Sequence, residues 1–182
     1  MKLFFPKPYA DFVARLRVPV GFALVAAFAC FSHPDARSLA YGLPVSLLGL
    51  GLRVWAAGHL AKDRTLATGG PYRYTRNPLY MGTMLVAAGL AIASRSAGLG
   101  ALFAAVFLCI YLPAIQLEQQ HLRSLFPEYA AYAAQVPALL PRMTPAGRPR
   151  AFQWRLYTKN REYQAAAGFL AGALFLLWKA LR

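Results

Sequence analysis

A length of 182 residues suits one domain, but 58% of the chain is hydrophobic and only 14% is charged, against about a quarter in an average soluble domain. That balance argues against a soluble globular protein and points to the bilayer. The formal net charge of +14 would suit nucleic acid, yet the placement of the cations along the chain argues for membrane topology instead.

Residues 1 to 17 mix Phe4, Phe5, Tyr9 and Phe12 with Lys2, Lys7, Arg15 and Arg17, a composition expected of an interfacial segment lying along one leaflet. Apolar runs follow at Val18 to Phe31, Leu39 to Ala57, Leu79 to Ala93, Leu99 to Ile115 and Ala165 to Trp178. A helix crossing the hydrocarbon needs about 20 apolar residues, with about 17 tolerated. The expected fold is therefore all-α, a multi-pass transmembrane helical bundle of four to five spans. The last run is the short one, spanning obliquely or lying at the interface.

The first run follows basic residues as a signal peptide would, but no small-residue cleavage site follows Phe31 and further runs come later, so it is read as the first transmembrane helix. Ser32, His33 and Pro34 end it, and Ser38 is expected to cap the second helix. Arg53, near the inner end of that helix, is expected to snorkel to the headgroups. Cys30 and Cys109 each lie inside an apolar run and are read as inert thiols, with no disulfide framework and no zinc set.

Cations cluster before the first run, between the second and third (Lys62, Arg64, Arg73, Arg76) and after the fourth (Arg123, Arg142, Arg148, Arg150, Arg155, Lys159, Arg161). The intervening loops hold only Arg37 and Arg95. By the positive-inside rule this puts the N-terminus, the loop before the third helix and the segment after Glu118 in the cytoplasm, of an inner or plasma membrane if the protein is bacterial.

Between Gly58 and Pro78 hydrophobicity collapses. Gly69, Gly70, Pro71 and Pro78 specify a loop, with Pro78 near the first position of the third helix and Asn77 as its expected cap. The third and fourth helices form a hairpin turning within Ser94 to Gly100. The fourth run continues past Ile115 with Leu117, His121 and Leu125 at helical spacing, an amphipathic extension that places Glu118 at the water–lipid boundary. Pro127 interrupts it, Tyr129 and Tyr132 follow, and a basic linker from Arg142 to Arg161 leads to the last run. Three regions result: 1–52 with the interfacial segment and two helices, 53–142 as a core, and 143–182 with the linker and final helix.

The stretch from Arg64 to Tyr80, R-T-L-A-T-G-G-P-Y-R-Y-T-R-N-P-L-Y, is the chain's polar and aromatic insert, and Glu118 is its acidic counterpart one hairpin later. Singly these groups have ordinary membrane roles: Arg73 or Arg76 on lipid headgroups, Tyr72 and Tyr80 in an aromatic belt. Together they suit one polar, charged ligand.

The pattern Arg76-Asn77-Pro78-Leu79-Tyr80-Met81-Gly82, then Glu118, Gln119 and Leu122, then Phe126, Tyr129, Tyr132, Val136 and Pro137 resembles the signature of the isoprenylcysteine carboxyl methyltransferase and phospholipid methyltransferase superfamily. The resemblance covers about Arg53 to Arg142. It implies an enzyme that transfers a methyl group from S-adenosylmethionine to a lipophilic or amphiphilic acceptor, at a carboxylate, phenol, amine or thiol. It implies a cytoplasm-facing cofactor pocket with Arg64, Thr65, Leu66, Ala67, Tyr72, Asn77, Pro78, Leu79, Tyr80 and Glu118 as cofactor contacts, with Arg76 and Glu118 as the catalytic pair and no metal. A carboxylate suits the donor's ammonium, an Arg and helix-start N–H groups its carboxylate, and aromatic faces its sulfonium.

Three positions depart from the superfamily pattern: Asn77 for the usual His, Gln119 for a second Glu, and Ala114 where the isoprenylcysteine enzymes carry a substrate-engaging Arg. Expected partners are a lipid or lipophilic small molecule and membrane lipids, with no nucleic acid, and the oligomeric state stays open. Two other readings stay open at this point: a membrane NADPH-dependent sterol or enone reductase, and a non-catalytic lipid-binding scaffold.

Overall fold

The computed structural model describes residues 5–147 and 149–182. Lys2 and Phe4 of the expected interfacial segment, and Arg148 of the basic linker, lie outside the described residues. The described residues are all-helical, with no strand among them. Three helices are long and apolar enough to cross a membrane, and a shorter apolar one, Pro78–Ser94, accompanies them.

Helix α1 (Lys7–Phe31) is one continuous 25-residue helix, about 37 Å long. The expected interfacial segment is thus its first turns. Pro8 sits in the opening turn, where no N–H is needed, and the aromatic residues there continue the helix without a break. Helix α2 (Ala36–Ala57) is capped by Asp35 rather than Ser38: the Asp35 carboxylate accepts from the Ser38 N–H at 2.7 Å, and the Ser38 hydroxyl accepts from the Asp35 N–H at 3.0 Å. Ser38 is the fourth residue of a reciprocal cap.

Helix α3 (Pro78–Ser94) returns along α2. Its approach is set by missing side chains: a Cβ on Gly49 would lie 2.6 Å from the Gly82 carbonyl, and one on Gly42 would collide with the Gly89 carbonyl. Small residues let helices approach where no hydrophobic effect between helices is available. The hairpin turns at Arg95, in the left-handed region, and Ser96 caps α4 (Ala97–Val106).

Helix α4 passes through a π turn (Phe107–Tyr111) into α5 (Leu112–Leu125), a single run of 29 residues. Pro113 has no N–H to return to the Cys109 carbonyl, and the Tyr9 hydroxyl of α1 donates to that carbonyl at 2.8 Å. After Pro127 come α6 (Tyr129–Gln135), the short α7 (Trp154–Lys159) and α8 (Tyr163–Ala180).

Helix α8 is fastened at both ends. Glu162 at its start pairs with Arg53 of α2, and Lys179 at its finish donates to the Ala29 carbonyl at 2.9 Å and to Ser32 at the end of α1. The last apolar run therefore lies alongside the other helices from end to end.

The packed core is at one end of the bundle. Phe28, Leu39, Ala93, Leu99 and Leu176, from five helices, close it. Towards the other end α2 and α3 stay together, α1 stays with α5 and the π turn, and the two pairs separate. The space between them is the site.

Candidate functional site

A cavity of about 680 Å³ occupies that splayed end, within the range of small-molecule sites. Four pieces of chain build it. The loop before α3 supplies Thr65, Leu66, Ala67 and Tyr72; the start of α3 supplies Asn77, Pro78, Leu79 and Tyr80; α5 presents Glu118; and Arg76 stands between. Of the residues expected from sequence, only Arg64 is absent from the lining, and its side chain is exposed. Glu118 and the Tyr80 hydroxyl face one another across the space.

Arg76 is held from several sides. Its backbone N–H donates to Pro137 O at 2.9 Å, one terminal nitrogen donates to the Tyr129 hydroxyl at 3.2 Å, and the same nitrogen lies 3.5 Å from Gln119 Oε1. Its Nε is buried and has no hydrogen-bond partner among the described residues. A buried donor without a partner is costly and suits an anionic ligand atom.

Asn77 occupies the cap position of α3 but makes no side-chain cap. Its Nδ2 donates to Ala138 O at 2.8 Å, and Thr75 Oγ1 donates to the same carbonyl. The residue thus ties down the segment after α6 while its body lines the cavity. That segment continues as a strap: Arg142 N–H donates to Tyr74 O, Ala146 N–H to Arg73 O, and Gln153 N–H to Gly58 O. What reads as a basic linker is laid across the loop it follows.

Arg53 does not reach for headgroups. Its Nε and one terminal nitrogen form a fork on Glu162 at 3.0 and 2.9 Å, its other nitrogen donates to Thr83 Oγ1, and it lines the cavity. To get there it crosses Gly82, where a Cβ would sit 2.6 Å from Arg53 Cγ. The glycine of the Tyr80-Met81-Gly82 motif is needed for that crossing.

Several lining residues lie outside the expected set of contacts. Tyr111, Ala114, Leu117, His121 and Leu122 join Glu118 in the lining; their spacing of three and four is one helix stripe, and that period was the signal available. Ala14 and Arg17 of α1 also line the cavity, three residues apart. His121 Nε2 lies 3.3 Å from Asp63 Oδ1, a pair at the rim with both side chains about half exposed.

Burial raises the pKa of the Tyr72 and Tyr132 phenols above the ordinary value. It also raises that of Tyr129, against the opposing pull of Arg76. All three are neutral donors at physiological pH, and Tyr132 spends its proton on the Tyr72 carbonyl at 2.7 Å. Among the described residues no three His, Cys, Asp or Glu side chains gather as a metal ion would need.

The profile of the phospholipid methyltransferase family matches residues 41–129, a segment that contains all but the first turn of α2, the loop, and α3 to α5. The cobalt-zinc-cadmium resistance protein CzcN of Cupriavidus metallidurans is 39% identical over 104 residues, 56% of this chain and 48% of its own length. The nickel-cobalt-cadmium resistance protein NccN of Alcaligenes xylosoxydans xylosoxydans is 32% identical over 151 residues, covering 76% of this chain and 71% of the relative. The chain thus spans about half the length of the first relative and under three quarters of the second. No solved structure matches it. With the motif spacing folded into one cavity and the family profile matching the segment that builds most of it, the chain belongs to the phospholipid methyltransferase family, in the isoprenylcysteine carboxyl methyltransferase-like superfamily of membrane methyltransferases.

Proposed function

We propose that this protein is an integral membrane methyltransferase that uses S-adenosylmethionine and acts on an amphiphilic acceptor drawn from the bilayer. Bound in the cavity, the donor would supply a methyl group on a positively charged sulfur. Glu118 suits the donor's ammonium and Arg76, with its unpartnered Nε, suits its carboxylate. The Tyr72 and Tyr80 rings suit the sulfonium and the adenosine. The chain's part in catalysis is alignment and exclusion of water, since attack at a methyl carbon depends on collinear approach. The cation pattern supports a cytoplasmic cavity mouth and N-terminus.

The observation that carries this reading is that residues 42 positions apart, Arg76 and Glu118, meet in one cavity of cofactor size. The test is calorimetry of detergent-solubilised protein with S-adenosylmethionine, its demethylated product and NADPH. The first two should bind and NADPH should not. Glu118→Ala and Arg76→Ala should each weaken donor binding about 10- to 100-fold, as expected for a lost charge-assisted hydrogen bond of about 1.5–3 kcal/mol, with helix content unchanged. Equal affinity in either variant would mean the pocket assignment is wrong.

A further inference from the structure

His59 stands where three pieces of chain meet. It follows the end of α2 at the entry to the loop, Gly70 of the loop lies against its ring, and Arg150 and Phe152 of the strap close over it. The packing is tight: a Cβ on Gly70, whose φ is +53°, would lie 2.6 Å from the ring's Nδ1 and Cε1. The Phe152 and His59 rings make a T-shaped contact with centroids 6.0 Å apart. Gly58 lies against the same Phe152 ring and Gly69 against the Arg150 side chain, so a side chain at either position would push the strap away.

Both ring nitrogens of His59 face oxygen. Nδ1 lies 2.8 Å from the Trp55 carbonyl of α2, and Nε2 lies 3.0 Å from the Arg150 carbonyl of the strap. A carbonyl only accepts, and a neutral imidazole carries a single N–H. Whichever tautomer it took, a neutral ring would set a nitrogen lone pair against one of the two oxygens. Only the imidazolium donates to both, so the docked strap requires a cation at His59.

The charged groups on the surrounding elements are Arg53 of α2, Lys62, Asp63, Arg64, Arg73 and Arg76 of the loop, Arg142, Arg148 and Arg150 of the strap, and Arg155, Lys159 and Arg161 in and just after α7. The two nearby acids are engaged elsewhere, Asp63 with His121 and Glu162 with Arg53. Two carbonyl dipoles therefore hold the imidazolium, and lifting the strap removes one of them. We propose that His59 is a proton-operated latch between strap and loop, taking up a proton when the strap docks and releasing it when the strap lifts. Imidazole is the side chain suited to this, since its charge changes between about pH 5 and 8. The docked form binds more protons than the lifted one, so docking strengthens as pH falls and weakens as pH rises. What the latch holds is cavity wall: Gly69 and Gly70 lead directly into Tyr72, which lines the site.

The experiment uses the full chain in lipid discs and follows hydrogen–deuterium exchange of strap peptides at about pH 5.5 and about pH 8, the two sides of the imidazole range. Rates are normalised to the intrinsic exchange of the same peptides. The amides of Arg142, Ala146 and Gln153, which donate to Tyr74, Arg73 and Gly58, report docking. Protection at Gln153 should fall about 10-fold from the lower pH to the higher, as expected for losing one charge-assisted hydrogen bond, while protection within α2 and α3 stays constant. His59→Gln places an amide nitrogen near the position of Nε2 and keeps a donor for Arg150 O throughout this range, so its protection should be high and independent of pH. His59→Phe keeps a ring but has no donor, and its protection should be low and independent of pH.

Nitrogen NMR of the three histidines reads the ring directly. The signal missing from His59→Gln should show two protonated nitrogens at the lower pH and one at the higher. Wild-type protection that ignores pH, or a neutral His59 ring at the lower pH, would overturn the latch. So would the same fall in His59→Gln, which would put the sensitive group at the His121–Asp63 pair. No readout uses the methyl donor, so the latch stands or falls apart from the methyltransferase reading.

Discussion

Tyr72 and Tyr129 are buried and Tyr132 half-buried at the loop end of the cavity, and their phenols are held neutral by that burial. An exposed or unfolded tyrosine ionises near pH 10. Because the folded values of Tyr72 and Tyr132 are raised above this, the unfolded chain loses these protons first. Their contribution to stability is complete below pH ~10 and is lost as pH climbs towards the folded values. Phenolate absorbance and helix content followed together through an alkaline titration should show these two phenols ionising only as the helices melt. Tyr72→Phe and Tyr132→Phe should remove that late-titrating fraction. A phenol lost at its ordinary pH in the folded protein would contradict the burial.

Asn77 makes a separate point at this scale. Its place before a proline correctly marked a helix start, but its amide is spent on Ala138, 61 residues away. Nothing local in the chain announces that partner, because the strap reaches it only after α5 and α6 have folded back. Arg53 escaped for the same reason: next to an apolar run an arginine reads as a headgroup contact, and its carboxylate lies 109 residues on, at the start of the last helix.

Among the elements, the α2–α3 pair sets the width of the site. Gly42, Gly49, Gly82 and Gly89 line the crossing, with Ser46 donating from α2 to Val86 O at 3.0 Å. Gly82→Ala would place a methyl against Arg53 Cγ and the Gly49 carbonyl at once. The expected cost is about 1–3 kcal/mol of stability, the usual range for overpacking, together with a weakened donor affinity as Arg53 is pushed off Thr83. Denaturant midpoints and donor titration on the same preparation check both. Gly51, where a Cβ would meet nothing within 4 Å, is the control: Gly51→Ala should leave donor affinity as it was.

The apolar runs and prolines told the reader where the helices would be, because periodicity and hydropathy are local properties. They did not reveal that α1 begins at Lys7. Aromatic and basic residues suit a surface segment and the first turns of a long helix equally well. The π turn was equally hidden, since its signal is one proline together with a hydroxyl supplied by another helix.

For the molecule as a whole, the segment matched by the family profile ends at residue 129, yet the site depends on what lies beyond it. The strap covers the loop and Glu162 neutralises Arg53, whose side chain is 21% exposed against 11% for the glutamate. Removing one partner of so sheltered a pair leaves an uncompensated charge. Glu162→Gln should cost about 3 kcal/mol, and the double replacement Arg53→Met with Glu162→Leu should cost less than the single one. A double-mutant cycle by denaturation measures the coupling; additive single effects would show that the fork contributes nothing.

The five-helix apolar cluster grips the bundle at only one end, like the joined end of a pair of tweezers. A tilt of about 5° about that joint moves the far end of the 25-residue α1 by roughly 3 Å. Stretching or thinning the surrounding lipid changes such tilts at small energetic cost. Membrane thickness then becomes a dial on the jaw opening, and the tips of the tweezers are where the proposed donor site lies.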